Sequence, residues 1–220
     1  MTSPPSRHIS DQQITQATSQ FGISLASDQV AMVREYIHLL LKWNQSISLT
    51  TVTDPEEILS RHFGESMFAA KVRPVENCRL ADVGTGPGFP GLPLKILVPS
   101  LKLILIESNK KKYAFLSEVV RTLGLKEVEV LPERFEQIRP ETLPVHLVSA
   151  RALGEFKELL RWSARALTPA GNLLLWVGAE DVTRVAANQD WIWEPAIKIP
   201  DSQRRFLLIG RPMANISGTV

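Results

Sequence analysis

The stretch that decides the fold is DVGTGPGFPG at residues 82–91, which holds four glycines and two prolines. It follows a short apolar run at residues 80–83 and leads into another apolar segment. Glycine tolerates positive φ and lets a ligand come close to the main chain. In an open α/β sheet, the turn from the first strand to the first helix borders the ligand crevice. The stretch therefore predicts a ligand-binding turn rather than a merely tight one.

Outward from this turn, short apolar runs alternate with amphipathic stretches. The runs predict buried strands at residues 80–83, 101–106, 128–131, 145–149 and 172–177. The amphipathic stretches between these runs predict helices after Pro90, from Asn109 to Gly124 and from Gly154 to Leu167. This alternation predicts an α/β fold with a doubly wound, mostly parallel sheet. Residues 191–199 and 204–209 flank a Pro-Asp-Ser-Gln turn and predict an antiparallel hairpin at the sheet edge.

The chain before the first strand has a different pattern. Apolar residues recur at helical spacing between Ser27 and Asn44, and Asp54 followed by Pro55 is typical of a helix start, here of one reaching Lys71. We therefore predict a disordered tail at residues 1–10, a helical N-terminal extension at 11–76 and the α/β domain at 77–220.

The composition narrows the class of protein. No apolar run approaches the roughly 20 residues that cross a bilayer, and the polar start lacks a signal-peptide core. The single cysteine, Cys78, excludes an internal disulfide, and the four histidines show no metal-site spacing. Residues 77–220 carry 19 Lys+Arg and 15 Asp+Glu, a mild excess that a polyanionic substrate would favour. We expect a cytoplasmic protein with no membrane contact and no metal, and a monomer.

The glycine turn is compatible with two cofactor classes. Residues 86–91 formally satisfy G-x-G-x-x-G, and Glu107 lies about 20 residues further on, as in dinucleotide-binding proteins. Pro87 and Pro90, however, have no N–H to give a pyrophosphate. S-adenosylmethionine carries no phosphate, and its sulfonium favours a nearby carboxylate such as Asp82. Glu107 could accept hydrogen bonds from both ribose hydroxyls in either class.

The residues on both sides of the turn resemble those of a known family. Leu40–Asn44, Leu49-Thr50, Asp54-Pro55 and Arg61-His62 precede it, and similar motifs follow at Glu107-Ser108, Lys111-Lys112, Phe115-Leu116, Arg134–Glu136 and Arg151-Ala152. Over about residues 36–155 the chain is similar to the bacterial 16S ribosomal RNA (guanine-N7) methyltransferases, also called the glucose-inhibited division protein B family.

The resemblance implies a Rossmann-like class I S-adenosylmethionine-dependent methyltransferase. Such a domain has a mostly parallel seven-stranded sheet with a C-terminal antiparallel hairpin and a helical N-terminal extension. The family would act on a guanine of small-subunit ribosomal RNA or the 30S subunit. Carried over by motif, the cofactor would be bound by Asp82, Gly84, Gly86, Gly88, Phe89, Glu107, Ser108, Asn109, Phe135, Glu136 and Arg151.

The implied reaction needs little acid-base chemistry, because guanine N7 has a lone pair and no proton. We therefore expect positioning to carry the catalysis, with Arg151 orienting the guanine or the cofactor carboxylate. The candidates for RNA contact are His62, Lys110, Lys111, Lys112 and Arg134. Two other functions stay open, a dinucleotide-dependent oxidoreductase and a ribosome-associated module that binds S-adenosylmethionine or RNA without catalysis.

Overall fold

A computed structural model describes residues 9–151, 154 and 156–213. Its sheet runs in the order β3-β2-β1-β4-β5-β8-β6, and β7 pairs with β8. The strands are β1 (Arg79–Val83), β2 (Lys102–Ile106), β3 (Val128–Leu131), β4 (Val145–Arg151), β5 (Leu167–Gly178), β6 (Trp191–Trp193), β7 (Ile197–Lys198) and β8 (Arg205–Pro212). β1 to β5 pair in parallel, whereas β8 is antiparallel to its partners β5, β6 and β7.

Helices cover both faces of the sheet. They are α1 (Asp11–Ser19), α2 (Ser27–Asn44), α3 (Pro55–Ile58), α4 (Glu65–Val72), α5 (Gly91–Leu97), α6 (Lys110–Thr122), α7 (Phe156–Ala166) and α8 (Ala179–Ala186). A π-helical turn, Leu59–Gly64, joins α3 to α4, and two 3-10 turns follow β3 at Phe135–Gln137 and Pro140–Thr142. No helix in the described part of the chain is long and apolar enough to cross a membrane.

The N-terminal helices share a hydrophobic core with one face of the sheet. Val33, Tyr36 and Leu40 on α2 belong to the same buried cluster as Leu103 and Leu105 on β2. A second cluster on the other face contains residues of α7 and α8, including Leu159 and Val185. The helices of residues 11–72 therefore form a packed layer of the α/β unit. Burial of each such side chain contributes about 1.5–3 kcal/mol to its stability.

The predicted elements before residue 167 are confirmed with small differences at their ends, except that the π-helical turn Leu59–Gly64 divides the helix predicted from Pro55 to Lys71. The helix ending at Gly124 stops there because that glycine has φ +62°, the left-handed conformation of a helix C-terminal cap. β5 begins at Leu167 rather than residue 172, and α7 ends at Ala166. A tail was predicted at residues 1–10, and its first eight residues lie outside the described part of the chain.

The C-terminal part differs from the prediction in two ways. Helix α8 was not predicted, although Ala179, Val182, Val185 and Ala186 recur there at helical spacing. The expected hairpin strand at 191–199 is interrupted, because β6 pairs with residues 210–212 and β7 with residues 206 and 207. With β6 and β7 counted as one broken edge strand, the sheet has the predicted seven positions.

Candidate active site

Three loops and the end of β4 meet at the carboxyl edge of the parallel strands. In the sheet register, Val83 lies beside both Ile106 and Ala150, and Ile106 lies beside Leu131. The glycine turn after β1, the residues after β2 and β3, and Arg151 at the end of β4 therefore share one edge. This brings the sequence-predicted cofactor residues to the same end of the sheet.

The backbone N–H groups of the glycine turn are all used inside the protein. Gly84 and Thr85 donate to the Ile106 carbonyl at 2.9 and 3.2 Å, and Gly88 and Phe89 donate to the Thr85 carbonyl at 2.9 and 3.0 Å. The remaining donors, at residues 86, 91 and 92, reach Glu107 Oε2, Asp82 Oδ2 and the Gly88 carbonyl. Residues 87 and 90 are prolines. The turn thus offers no free N–H to a pyrophosphate, which argues against a dinucleotide.

Asp82 organises the turn from beneath. Its side chain is fully buried, and it accepts hydrogen bonds from the Thr85 hydroxyl, from Gly91 N at 2.9 Å and from Ser149 Oγ at 2.7 Å. Burial raises the pKa of this carboxyl to about 6, although the three donors pull it the other way. The carboxylate therefore holds the turn to β4 and has no open face toward a ligand.

Gly86 and Gly88 have opposite surroundings. A Cβ on Gly88 would lie 2.3 Å from Tyr36 Oη, whose hydroxyl donates to the Pro87 carbonyl. A Cβ on Gly86 would meet only the Gly84 carbonyl oxygen, at 4.0 Å. Gly88 is thus a packing position against α2, whereas Gly86 faces open space on the side where a ligand can approach.

Glu107 joins the glycine turn to the start of α6. It is 8% exposed, and its Oε2 accepts from Gly86 N at 3.0 Å while its Oε1 accepts from Asn109 N at 2.8 Å. Asn109 in turn caps α6 by accepting from Lys111 N and Lys112 N. Each carboxylate oxygen keeps a second lone pair, so Glu107 can bind a pair of vicinal hydroxyls. Ser108 beside it is exposed.

Phe89 lies between two aromatic rings rather than in the open. His62 stacks on it with ring centroids 4.6 Å apart, and Tyr36 stacks at 5.4 Å. His62 is on the π-helical turn, a feature that often accompanies functional sites. Its Nε2 is 2.9 Å from the Thr50 hydroxyl, whereas Nδ1 is buried with no hydrogen-bond partner among the described residues. Burial, and then the charges of Arg151, Arg61 and Arg205, lower the pKa of His62 to about 3.

Arg151 is mostly buried in a cluster of three charges. Its Nη2 donates to Glu65 Oε2 at 2.9 Å, and Arg205 Nε donates to Glu65 Oε1 at 2.6 Å. Glu65 is 1% exposed, and Trp176 Nε1 donates to its carbonyl at 2.9 Å. The other terminal nitrogen of Arg151, Nη1, is buried without a hydrogen-bond partner in the described part of the chain. The cluster carries a net positive charge and one unsatisfied guanidinium donor.

The other predicted residues lie around the same edge. Phe135 is half-buried and packs edge-on against Trp162, with centroids 6.0 Å apart. Arg134, just before the first 3-10 turn, and Glu136 within that turn are exposed. Lys110 and Lys111 at the start of α6 are exposed as well, and Lys112 is half-buried. These charges are accessible from solvent, as contacts to a large polyanion require.

The residues present fit S-adenosylmethionine. Gly86 gives close access to the main chain, Glu107 can accept two hydroxyls, and the unpartnered Nη1 of Arg151 can donate to a carboxylate. Within the described part of the chain, no group of three or more His, Cys, Asp or Glu side chains could hold a metal ion.

Sequence reasoning missed several residues that build this edge. Glu65 holds Arg151 and also pairs with Arg205, Tyr36 supports the glycine turn, and Ser149 donates to Asp82. Glu65 lies 140 residues from Arg205 along the chain. One signal in the sequence was the charge of Glu65 among the apolar residues of α4. A buried charge needs a partner, so this residue could have indicated a buried ion pair.

Comparison with solved structures gives the class of protein. A crystal structure of a SAM dependent methyltransferase from Aquifex aeolicus superposes with a TM-score of 0.58 at 20% identity, covering 71% of this chain and 93% of that one. The structure of TrmN from Thermus thermophilus gives a TM-score of 0.52 at 17% identity, covering 70% and 53%. The fold is therefore that of the S-adenosylmethionine-dependent methyltransferases, which confirms the predicted fold class.

The sequence comparisons give the family. The family model described as rRNA small subunit methyltransferase G matches residues 29–197. Proteins named ribosomal RNA small subunit methyltransferase G are 38% identical in Xylella fastidiosa, covering 89% of this chain and 94% of that protein, and 37% identical in Carboxydothermus hydrogenoformans, covering 73% and 69%. The chain belongs to the rRNA small subunit methyltransferase G family. The predicted family, enzyme class and cofactor are confirmed.

Substitutions at the two glycines should separate ligand binding from folding. We expect Gly86→Ala to weaken S-adenosylmethionine binding at least 10-fold, because its methyl group points into open space on the ligand side. Gly86 has φ +59°, so this variant should also lose about 1 kcal/mol of stability and still fold. Gly88→Ala should instead destabilise the protein by 2 kcal/mol or more, roughly the cost of an overpacked site that also needs positive φ. Urea unfolding and calorimetric titration measure the two effects. Equal cofactor affinity in Gly86→Ala and wild type would show that Gly86 does not face the cofactor.

Proposed function

We propose that this protein transfers the methyl group of S-adenosylmethionine to N7 of a guanine in 16S ribosomal RNA. The observation that carries the proposal is the glycine turn, whose N–H donors are all satisfied within the chain. It suits a cofactor without phosphate, and it lies at the same edge as an arginine with an unsatisfied donor. Family membership supplies the kind of substrate, small-subunit ribosomal RNA.

In this proposal residues at the carboxyl ends of β1 and β2 would hold the cofactor. Glu107 accepts hydrogen bonds from both ribose hydroxyls, with Ser108 and Asn109 beside the ribose and adenine. Phe135 and Glu136 border the adenine edge, and Gly84 and Gly86 lie along the methionine part. Asp82, Gly88 and Phe89 act indirectly, since their contacts are with the protein.

The chain's contribution to the reaction is alignment. The bound cofactor would supply an electrophilic methyl group, whose bond to sulfur would break as its bond to guanine N7 forms. The guanine N7 has no proton to lose, so no general base is needed, and His62 with a pKa of about 3 is neutral at physiological pH. Fixing the nucleophile in line with the breaking bond can lower the barrier by up to roughly 7–11 kcal/mol. Arg151 Nη1 is placed to orient the guanine or the cofactor carboxylate.

RNA would be bound by the exposed cations of this edge. Lys110, Lys111, Lys112 and Arg134 can contact phosphates, and the target base must leave its stack to reach the cofactor. His62 would border the reacting end. Because the proposed substrate is the RNA of the 30S subunit, we propose that the chain acts in the cytoplasm and as a monomer.

The proposal is tested with labelled S-adenosylmethionine and three acceptors: undermethylated small subunits, naked small-subunit RNA, and DNA. We expect label in RNA and none in DNA or protein. Label in protein or DNA but not RNA would contradict the proposal. Cofactor binding without any turnover on either RNA substrate would favour the non-catalytic module instead, and reduction of NAD with no methyl transfer would favour an oxidoreductase.

The pH dependence of stability tests the surroundings of His62. Since its folded pKa is about 3 against an ordinary 6.5, the unfolded chain takes up a proton below pH 6.5 that the folded chain does not. Stability is therefore lost as pH falls, by about 2 kcal/mol from this residue between pH 7.5 and pH 5. Urea unfolding should show that His62→Gln lacks this loss, while the opposite effect of Asp82 remains in both proteins. If the free energy of unfolding fell equally with pH in the variant and in wild type, His62 would not be a buried, neutral imidazole.

A further inference from the structure

A cleft between α7 and α8 lies outside the site described above. It has a volume of about 280 Å³ and is lined mainly by Phe156, Lys157 and Leu160 of α7 and by Arg184, Val185 and Asn188 of the α8 region. Pockets that enclose drug-sized ligands are roughly 300–1,000 Å³. The cleft therefore suits one small planar group, the size of a single nucleobase.

The cleft combines an apolar floor with a cationic rim. Leu160 and Val185 are buried beneath it. The guanidinium of Arg184 lies over the Phe156 ring, 5.0 Å from its centroid, and also pairs with Asp181 at 2.7 Å. Lys157 is exposed, and it forms no ion pair with another described residue. An aromatic face, an arginine plane and a free lysine together are the groups that bind unstacked bases and their phosphates.

The position of the cleft connects it to the methyl-transfer edge. β4 ends at Arg151, and α7 begins five residues later at Phe156. The first turn of α7 therefore starts at the edge where Arg151 and the glycine turn meet. An RNA whose target guanine has left its stack also exposes the face of a neighbouring base, and that base needs a new surface to stack on.

We propose that this cleft binds a nucleotide of the RNA substrate next to the target guanine, with its base against Phe156 and Arg184 and its phosphate on Lys157. This inference rests on the proposed function, because it requires an RNA substrate. It assigns to the first turn of α7 and to α8 a role in RNA affinity that is separate from cofactor binding and from methyl transfer.

The test compares Arg184→Ala and Lys157→Ala with the control Arg165→Ala. Arg165 is a suitable control because its exposure, 59%, matches the 60% of Arg184, and it also pairs with a carboxylate, that of Glu141. We expect the dissociation constant for a small-subunit RNA fragment to rise about 10-fold in Arg184→Ala. Lys157→Ala should reduce the slope of log affinity against log salt by about one. Cofactor affinity and the rate at saturating RNA should stay within twofold of wild type.

A second substitution, Phe156→Leu, keeps the apolar volume and removes the aromatic face. We expect RNA affinity to fall about 10-fold with an unchanged melting temperature. RNA affinities in all three variants equal to that of Arg165→Ala would overturn the inference, even if wild type methylates RNA. Wild-type protein that methylates no RNA, with binding still weakened in the cleft variants, would contradict the proposed function while supporting the cleft as an RNA site.

Discussion

Replacing Asp82 with alanine should lower the free energy of unfolding by about 3 kcal/mol and abolish detectable S-adenosylmethionine binding. The substitution leaves the Thr85 hydroxyl, Gly91 N–H and Ser149 hydroxyl without their acceptor, and each buried unsatisfied donor costs about 1–3 kcal/mol. Removal of a buried carboxyl whose pKa is raised by burial offsets part of this loss. The turn that presents Gly86 would then lose its link to β4.

Urea unfolding and calorimetric titration measure these two effects. The control is Glu118→Ala, which removes a carboxylate from the surface pair with Arg121 on α6. Such exposed pairs add little to stability because solvent screens them, so the control should stay close to wild type in both measurements. Ser149→Ala, which removes only one of the three donors, should retain cofactor binding. Asp82→Ala with wild-type stability and cofactor affinity would show that the turn does not depend on this carboxylate.

Replacing Arg151 with alanine should reduce the rate of methyl transfer at saturating substrates about 100-fold. This is the loss of rate expected when a reactant is held about 1 Å away from its productive position. The reason is Nη1, which has no hydrogen-bond partner among the described residues and can therefore donate to a bound group, whereas Nη2 is already used by Glu65. Arg151→Lys keeps the charge but not the forked geometry of the guanidinium. We therefore expect it to recover only part of the rate.

Arg205→Ala distinguishes orientation of a substrate from support of the cluster. Arg205 pairs with the same buried carboxylate, Glu65, from the opposite side. If Arg151 acts only as a partner of Glu65, both substitutions should reduce the rate equally. We expect Arg205→Ala to reduce it less than 10-fold, with a similar loss of stability in the two variants. Full transfer and full cofactor affinity in Arg151→Ala would remove Arg151 from the site.

The sequence predicted the parts of this site that depend on local patterns. Residues 82–91 and Glu107 follow the first two strands directly, so recognising those strands was enough to bring them to one edge. The prolines at 87 and 90 indicated a cofactor without phosphate. The structure strengthens that argument, because the remaining N–H groups of the turn are also used internally.

The rest of the site depends on contacts between distant parts of the chain. Asp82 was expected to face the sulfonium, but its oxygens contact Thr85, Gly91 and Ser149. That arrangement depends on the register of β1 against β4. The pairing of Glu65 with Arg205 likewise depends on β8 lying beside β5. Sequence spacing carries no information about such contacts, since a shift of one residue in strand register moves a side chain to the other face.

Nucleoside analysis of the RNA product tests the central claim most directly. Small-subunit RNA from cells lacking this protein would be incubated with wild-type protein and S-adenosylmethionine, digested to nucleosides and separated by mass and retention. The proposed function predicts new 7-methylguanosine, reduced about 100-fold in initial rate with Arg151→Ala. A different methylated nucleoside, or no methylated nucleoside from protein that binds the cofactor, would contradict it.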